Sequence, residues 1–387
     1  MDKVVSFQDK YNALQQNVRD IFAKVYILNN AGKKIGQIEG NIISGNISVN
    51  SDSLIRRTGT ITLALNDDNL DVAENKFFWF NNRIELHIGV KYNDDIVWYK
   101  LGNFILDETS KFVSSRQKTI TIDLLDNMCL FDGTRGGKVD VIYKIENDLP
   151  IHEVIEGIVN KRGYMNRIIE QSEHRTPYKI EKNIGDNFGS VIEELRGLYL
   201  DYETFIDLDG NFVFRRVRNL KSDPIIYRFL ENDMNLVDIG ITYSFKNVKN
   251  RVKIYGRTNP DTGIAVEAEA TNNHPNSPFA IDKIGEVFEG ITDSKLHTKE
   301  QVQKKAEAEL IKASNLAEKV TISCIPIYNL DVNNVVYIKV EKDGLNINGR
   351  FQIKKLSIPF DEGDLMRITC VRLYDDEETT IQTDNII

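Results

Sequence analysis

The chain has 387 residues, 41% of them hydrophobic and 28% charged, with a formal net charge of -9. That size and balance fit a soluble globular protein of two to three domains. They exclude a membrane-spanning helix, since no run of eighteen apolar residues occurs. They also exclude a nucleic-acid wrapper, since the basic residues are interleaved with acids and not clustered.

Met1-Asp2-Lys3-Val4-Val5-Ser6 leads into polar sequence and not an apolar stretch, so no secretory signal is expected. Phe7, Tyr11, Leu14, Val18 and Ile21 then recur at alternating spacings of four and three, the rhythm of a helical seam. Ser6 can cap this helix, with Asp9 in its first turn. Two heptads do not hold as an isolated helix, so the segment must dock. Docking on the chain's own first domain is expected ahead of docking on a partner.

From about Lys24 to Asp126 the pattern changes to strands. Thr58 to Leu65, Arg83 to Ile88 and Thr119 to Leu124 alternate with period two, and Asn29-Asn30-Ala31-Gly32 and Tyr92-Asn93-Asp94-Asp95 carry turn chemistry. One buried face per strand and short connections indicate an antiparallel barrel or sandwich. Helices follow. Ile151, Val154, Ile155, Ile158 and Val159 make one apolar face between Pro150 and Gly163. A second helix covers roughly Asn187 to Tyr199. It runs into a hairpin whose Asp209-Gly210 suits a two-residue type I′ turn.

A third helix has Val302, Ala306, Leu310, Ala313 and Ala317 along one side and a capping box at Thr298 to Gln301. Strands return at Val320, Val335, Gly349 and Arg367, and the acidic stretch from Asp375 reads as a mobile tail. A repeat runs through this layout. Gly102-Asn103-Phe104-Ile105-Leu106 and Thr121 to Leu125 correspond to Gly349-Arg350-Phe351-Gln352-Ile353 and Arg367 to Val371. The expected fold is mainly β with an α+β insertion: two similar small antiparallel β-barrel domains flanking a middle helix-containing region. The expected boundaries are 1–21 for the docking helix and 22–138 for the first barrel. The middle region takes 139–223 and 256–319, the second barrel 224–255 and 320–374, and the tail 375–387.

Catalytic constellations are missing. His87, His152, His174, His274 and His297 are isolated from one another in sequence, and no zinc motif occurs. Cys129, Cys324 and Cys370 are too scattered for a disulfide framework, and a core position is expected for Cys324 and Cys370. Asp207 to Asn211 has a faint calcium-loop look, but Arg218 stands at the twelfth position. Gly133 to Lys138 resembles a phosphate loop with Val139 in place of the required Ser or Thr; a flexible linker is expected instead. The acid pairs Asp67-Asp68, Asp94-Asp95 and Glu193-Glu194 fall at turns or on a helix surface, where solvated charge is the default. Phe77-Phe78-Trp79-Phe80 is the most conspicuous apolar cluster, read as core ahead of a sugar platform or interface anchor. No catalytic, cofactor or metal residue is assigned. The candidate interface residues are Phe7, Tyr11, Leu14, Val18, Ile21, Phe77, Phe78, Trp79 and Phe80.

These segments together resemble the baseplate hub proteins of contractile phage tails and related bacteriocins, a fold that also heads tail-associated lysins. The resemblance covers most of the chain. It is carried by Arg57 to Leu63, Trp98 to Phe104, the helix from Thr298 leading into Glu318 to Ile322, Gly349-Arg350-Phe351 and Met366-Arg367-Ile368. It implies two barrels with an α+β region between them, and a homotrimeric ring that adapts a six-fold tail tube to a three-fold spike or tip. DNA would pass through its centre without specific binding. The implied partners are the tail tube protein and spike, tip or baseplate wedge proteins. The implied location is the virion tail, assembled in the host cytoplasm, with no membrane insertion and no cofactor. Three copies of a two-barrel chain present six similar modules, a geometric route from three-fold to six-fold symmetry. The sequence departs from the lysins in stopping soon after the second barrel, so cell-wall cleavage is expected from another chain. Two other readings stay open: a receptor- or glycan-binding tail protein using Phe77 to Phe80 and Trp98, and a wall hydrolase of unfamiliar type.

Overall fold

The computed structural model describes residues 6–16, 18–40, 42–65, 70–74, 76–115, 117–199, 201–220, 222–259, 262–275, 277–314, 317–361 and 363–373. Asp67-Asp68, the acidic tail 375–387 and the Phe7 side chain lie outside the described residues. The chain starts with α1 (Phe7–Ala13) and the strands β1 (Ile21–Leu28), β2 (Lys34–Glu39), β3 (Ile42–Asn50), β4 (Arg57–Ala64), β5 (Arg83–Tyr92), β6 (Asp95–Val113) and β7 (Lys118–Asp126). A first mixed module holds β8 (Tyr143–Ile145), α2 (Ile151–Lys161), β9 (Arg167–Ile169), β10 (Ile180–Lys182), α3 (Phe188–Leu198), β11 (Tyr202–Ile206) and β12 (Phe212–Arg216). After β13 (Ile225–Leu230) and β14 (Leu236–Ser244) a second module follows: β15 (Arg251–Thr258), β16 (Ala265–Thr271), α4 (Ile281–Ile284), β17 (Phe288–Thr292) and α5 (Lys299–Ala313). The strands β18 (Ala317–Cys324), β19 (Val335–Lys342), β20 (Leu345–Pro359) and β21 (Met366–Leu373) complete the described chain.

The protein is mainly β, with a large antiparallel sheet and small helices. One order of six strands occurs twice in that sheet: β3-β4-β7-β6-β5-β1 and β14-β18-β21-β20-β19-β13. The likeness extends to register. Leu106 faces Leu124 and Thr109 faces Ile122; Ile353 faces Cys370 and Leu356 faces Ile368, and in both pairs one extra residue bulges between the two contacts. A matching shift falls between Ile42 and Ser44 on β3 and between Leu236 and Asp238 on β14. The halves differ in that β1 lies antiparallel to β5 whereas β13 lies parallel to β19. The second module fills the β14–β18 connection, where the first half has only the short loop between β3 and β4.

In sequence the first mixed module separates the halves; in space the halves meet directly. β3 pairs with the end of β20, Asn50 opposite Lys355 through Asn46 opposite Pro359. One apolar core runs through both, from Leu14, Ile27 and Phe104 to Phe351 and Ile368. Each module has its own core, one around α2 and α3 and one where Val302, Ala306 and Leu310 of α5 cover β15 and β16. The expected boundary at 255/256 falls inside β15.

Local signals explain most elements. Asn187 caps α3 by accepting from the Ser190 N–H at 2.8 Å, and the Thr298–Gln301 capping box starts α5. Four expectations are corrected. α1 ends at Ala13, because Ile21 is drawn into an eight-residue ladder between β1 and β5. Ala317 belongs to β18, not to the helix before it. The Asp207–Asn211 turn is not type I′: Gly210 has φ of 79° and Asp209 is not in the left-handed region. The Asp207 carboxylate instead accepts from the Asp209 and Asn211 N–H groups, which builds a longer loop. Glu194 is buried and not solvated, held by the Tyr178 hydroxyl and the Lys182 ammonium, each at 3.0 Å.

Candidate assembly surfaces

The N-terminal segment is a clasp across the two halves. Ala13 and Leu14 enter the shared core, and the Tyr99 hydroxyl donates to the Lys10 carbonyl at 2.6 Å. On the other side Gln15 donates to the Tyr227 hydroxyl at 3.2 Å. Arg19 donates to the Pro326 carbonyl at 2.6 Å, and also to the Leu14 carbonyl and Asn235 Oδ1. Buried Asn235 returns a bond to the Leu14 carbonyl at 3.2 Å. The expected seam is therefore divided. Leu14 is 1% exposed, Tyr11 sits at the rim against the Tyr227 ring, Val18 is 82% exposed, and Ile21 lies on β1 opposite Val90.

A charged knot joins both halves to the first module. Asp126 is fully buried; its carboxylate accepts from the N–H groups of Arg56 (2.7 Å), Arg57 (2.8 Å) and Met128 (2.9 Å). Burial pushes its pKa up to about 6. The Arg57 side chain pairs with Asp331, in the loop before β19. Arg56 lies 3.3 Å from Glu203 and over the Phe205 ring, and Glu203 also holds Arg215 and accepts from Asn333. Nearby, Lys100 bridges Glu85 (2.6 Å) and Asp209 (2.8 Å). The carboxylates of this knot are each engaged by a cation or a backbone N–H, an arrangement that ties the first module to both halves.

The Phe77–Phe80 cluster also divides. Phe78 is buried in the core and Phe77 packs close to Gly36, while Trp79 and Phe80 are 39% and 62% exposed. The Arg135 guanidinium lies 4.1 Å from the Phe80 ring centre, and Lys24 covers Trp98 at 3.8 Å.

Two sheet edges were not anticipated. From Leu106 to Val113, β6 pairs with β7 alone, and β14 pairs with β18 alone, among the described residues. Both edges carry exposed apolar side chains: Phe112 and Val113 on one, Val237 and Tyr243 on the other, with Phe245 just beyond. The one sequence signal was the repeat itself, extended past the five residues that first revealed it.

The chemical candidates resolve into structure. His174 lies 2.9 Å from Asp201 and stacks on Tyr199, beside a cavity of about 480 Å³. The cavity lining contains no Ser or Cys, and its one Thr, Thr298, caps α5. Cys129, Cys324 and Cys370 are buried, and burial pushes the first two thiols up to about 12 and Cys370 higher still. In the Gly133–Lys138 loop, Gly137 presses against the Phe131 backbone, where a Cβ would stand 2.5 Å from its carbonyl oxygen. Among the described residues no group of three or more His, Cys, Asp or Glu could hold a metal, and no helix is long and apolar enough to cross a membrane.

No protein-family model and no curated protein matches the sequence. Solved structures do match. The 43 kDa tail protein of prophage MuSo2 from Shewanella oneidensis superposes with a TM-score of 0.60 at 13% identity, covering 90% of this chain and 98% of that one. A tail protein from Neisseria meningitidis MC58 gives 0.62 at 12%, covering 94% and 99%. Prophage tail protein gp18 from Listeria monocytogenes EGD-e gives 0.55 at 13%, covering 93% and 98%. The chain therefore has the fold of phage tail proteins, as its sequence resemblance implied.

Proposed function

We propose that the chain is a structural, non-catalytic hub of a phage-type tail. In this reading each six-stranded half is a small barrel, and three copies close into a ring of six similar modules. The ring joins a six-fold tail tube to a three-fold spike or tip and lets DNA pass without specific contacts. The carrying observation is the duplication: two halves with one strand order, and with matching register and bulges in the β3–β4 and β6–β7 pairs of one and the β14–β18 and β20–β21 pairs of the other, fused edge to edge in a single chain. A symmetric ring with twice as many modules as chains needs such a fusion. The near end-to-end match to tail proteins supports the same reading. The net charge of -9 suits a channel that DNA crosses without sticking.

Its partners would be the tail tube protein above and a spike, tip or wedge protein below, in the virion. Val18, Trp79 and Phe80 are the expected interface residues left most open to a neighbour, while Leu14 of the α1 seam is spent inside the chain. A glycan-binding role is less well supported, because Phe78 is buried and Arg135 covers Phe80. Negative-stain electron microscopy of the purified chain tests the proposal. Ring-shaped particles with a central hole and three-fold symmetry are expected; isolated single-chain particles at every concentration would overturn it.

A further inference from the structure

The internal join between the two halves has an unused counterpart, and the register of the sheet says which residues form it. On the repeat, β14 corresponds to β3 and the end of β6 corresponds to the end of β20. Ile47 faces Gly59 on β4 as Ile241 faces Val320 on β18, so Ile241 is the counterpart of Ile47. Leu356 faces Ile368 as Thr109 faces Ile122, so Thr109 is the counterpart of Leu356. Within the chain β3 and β20 are already paired, Val49 opposite Leu356, Ser48 opposite Ser357 and Asn46 opposite Pro359. Their counterparts, β14 and residues 107–113 of β6, have no strand on the matching edge among the described residues.

We infer that β14 of one copy pairs antiparallel with residues 108–112 of β6 in a second copy, repeating the internal β3–β20 join between chains. Transferring the register places Tyr243 opposite Thr109, Thr242 opposite Ser110, Ile241 opposite Lys111 and Gly240 opposite Phe112. This inference rests on the ring reading and supplies its contact.

Three further observations fit the two edges to each other. Phe112 is 63% exposed, and a Cβ at Gly240 would meet nothing within 4 Å, so an aromatic ring and an open glycine fall face to face. The internal join also sets an aromatic ring on a glycine, one position further along and on the other face of the sheet: the Phe360 ring lies against Gly45 of β3, 2.6 Å from where a Cβ would be. The β14 edge also lacks the usual guards against strand addition, with no proline and no charged residue from Ile239 to Ser244. A contact between two different edges is head-to-tail, and repeating the rotation already set by the internal join makes the modules equivalent around a ring.

Paired single-cysteine variants of the full chain test this. Ser110 and Thr242 are both exposed on their edges, and the three native cysteines are buried. Ser110→Cys and Thr242→Cys, each oxidised alone, should stay uncrosslinked; mixed and oxidised, they should give a covalent dimer on a non-reducing gel. The double variant in one chain should run as a covalent closed ring. Ser110→Lys with Thr242→Lys should dissociate the oligomer, and Ser110→Lys with Thr242→Glu should restore it. Light scattering on the same samples separates the two claims. A three-subunit species with no mixed crosslink, and no response to the lysine pair, overturns the edge contact and leaves the ring. A mixed crosslink in an assembly of another size supports the edge contact and overturns the three-fold count. Monomers throughout overturn both.

Discussion

Gly102 and Gly349 hold one backbone conformation, with φ of 153° and 154°, and each stands two residues before a fully buried phenylalanine, Phe104 and Phe351. Both lie where the long strand leaves one partner for the next, β5 to β7 in the first half and β19 to β21 in the second. An L side chain strains this conformation, and the space differs: a Cβ at Gly102 would stand 2.7 Å from the Phe104 ring, and at Gly349 2.5 Å from the movable end of Arg372. Gly102→Ala should therefore cost about 2–3 kcal/mol and Gly349→Ala about 1–2 kcal/mol. Urea unfolding of both variants checks the order; equal and negligible costs would show that neither glycine is required.

Asp331 is the partner of buried Arg57, which is 5% exposed. Removing the carboxylate leaves a guanidinium unpaired out of water, so Asp331→Ala should destabilise by about 3 kcal/mol. Replacing Arg57 as well, with Met, should recover part of that loss. A double variant no more stable than the single one contradicts this account of the knot.

Leu14→Asp places a charge in the shared core and should lower stability by about 3 kcal/mol while leaving the size of the assembly unchanged. Calorimetry and light scattering on the same preparation check the two halves of the statement. A normal melting temperature with lost assembly would instead put the clasp on a neighbouring chain.

Glu85 supplies a pH signature. Burial opposes its ionisation, but hydrogen bonds from His87 and Lys100 outweigh burial and hold its pKa at about 2, below the ordinary 4.5. A depressed folded-state pKa contributes stability that is fully present above pH 4.5 and is lost as pH falls toward 2. The contribution is on the order of 2 kcal/mol. The stability gap between the natural chain and Glu85→Gln should shrink over that window. A gap that is constant, or that widens on acidification, would show that the ion pairs do not hold Glu85 ionised.

The sequence made local features legible and distant ones not. The α3 and α5 caps, the Asn93 turn and the apolar face of α2 each lie within a few residues, where one pattern decides the outcome. The repeat was visible because Gly102-Asn103-Phe104 and Gly349-Arg350-Phe351 keep the same special backbone and the same buried ring. The β3–β20 join was not visible, since it links residues some three hundred positions apart and no periodicity encodes which edges meet. The helix seam misled for a related reason. Ile21 keeps helical spacing with Val18, but its eight-residue strand ladder with β5 wins over a two-heptad helix. Of the candidate interface residues, exposure separates Trp79 and Phe80 from Phe78 and Leu14, a distinction that apolar clustering alone does not make.

Native mass spectrometry of the full chain, followed through micromolar concentration, tests the central claim most directly. The account predicts a species of three times the 44.3 kDa chain, appearing as concentration rises, with no larger open-ended series. A chain that stays at 44.3 kDa, or that grows without closing at three, contradicts it.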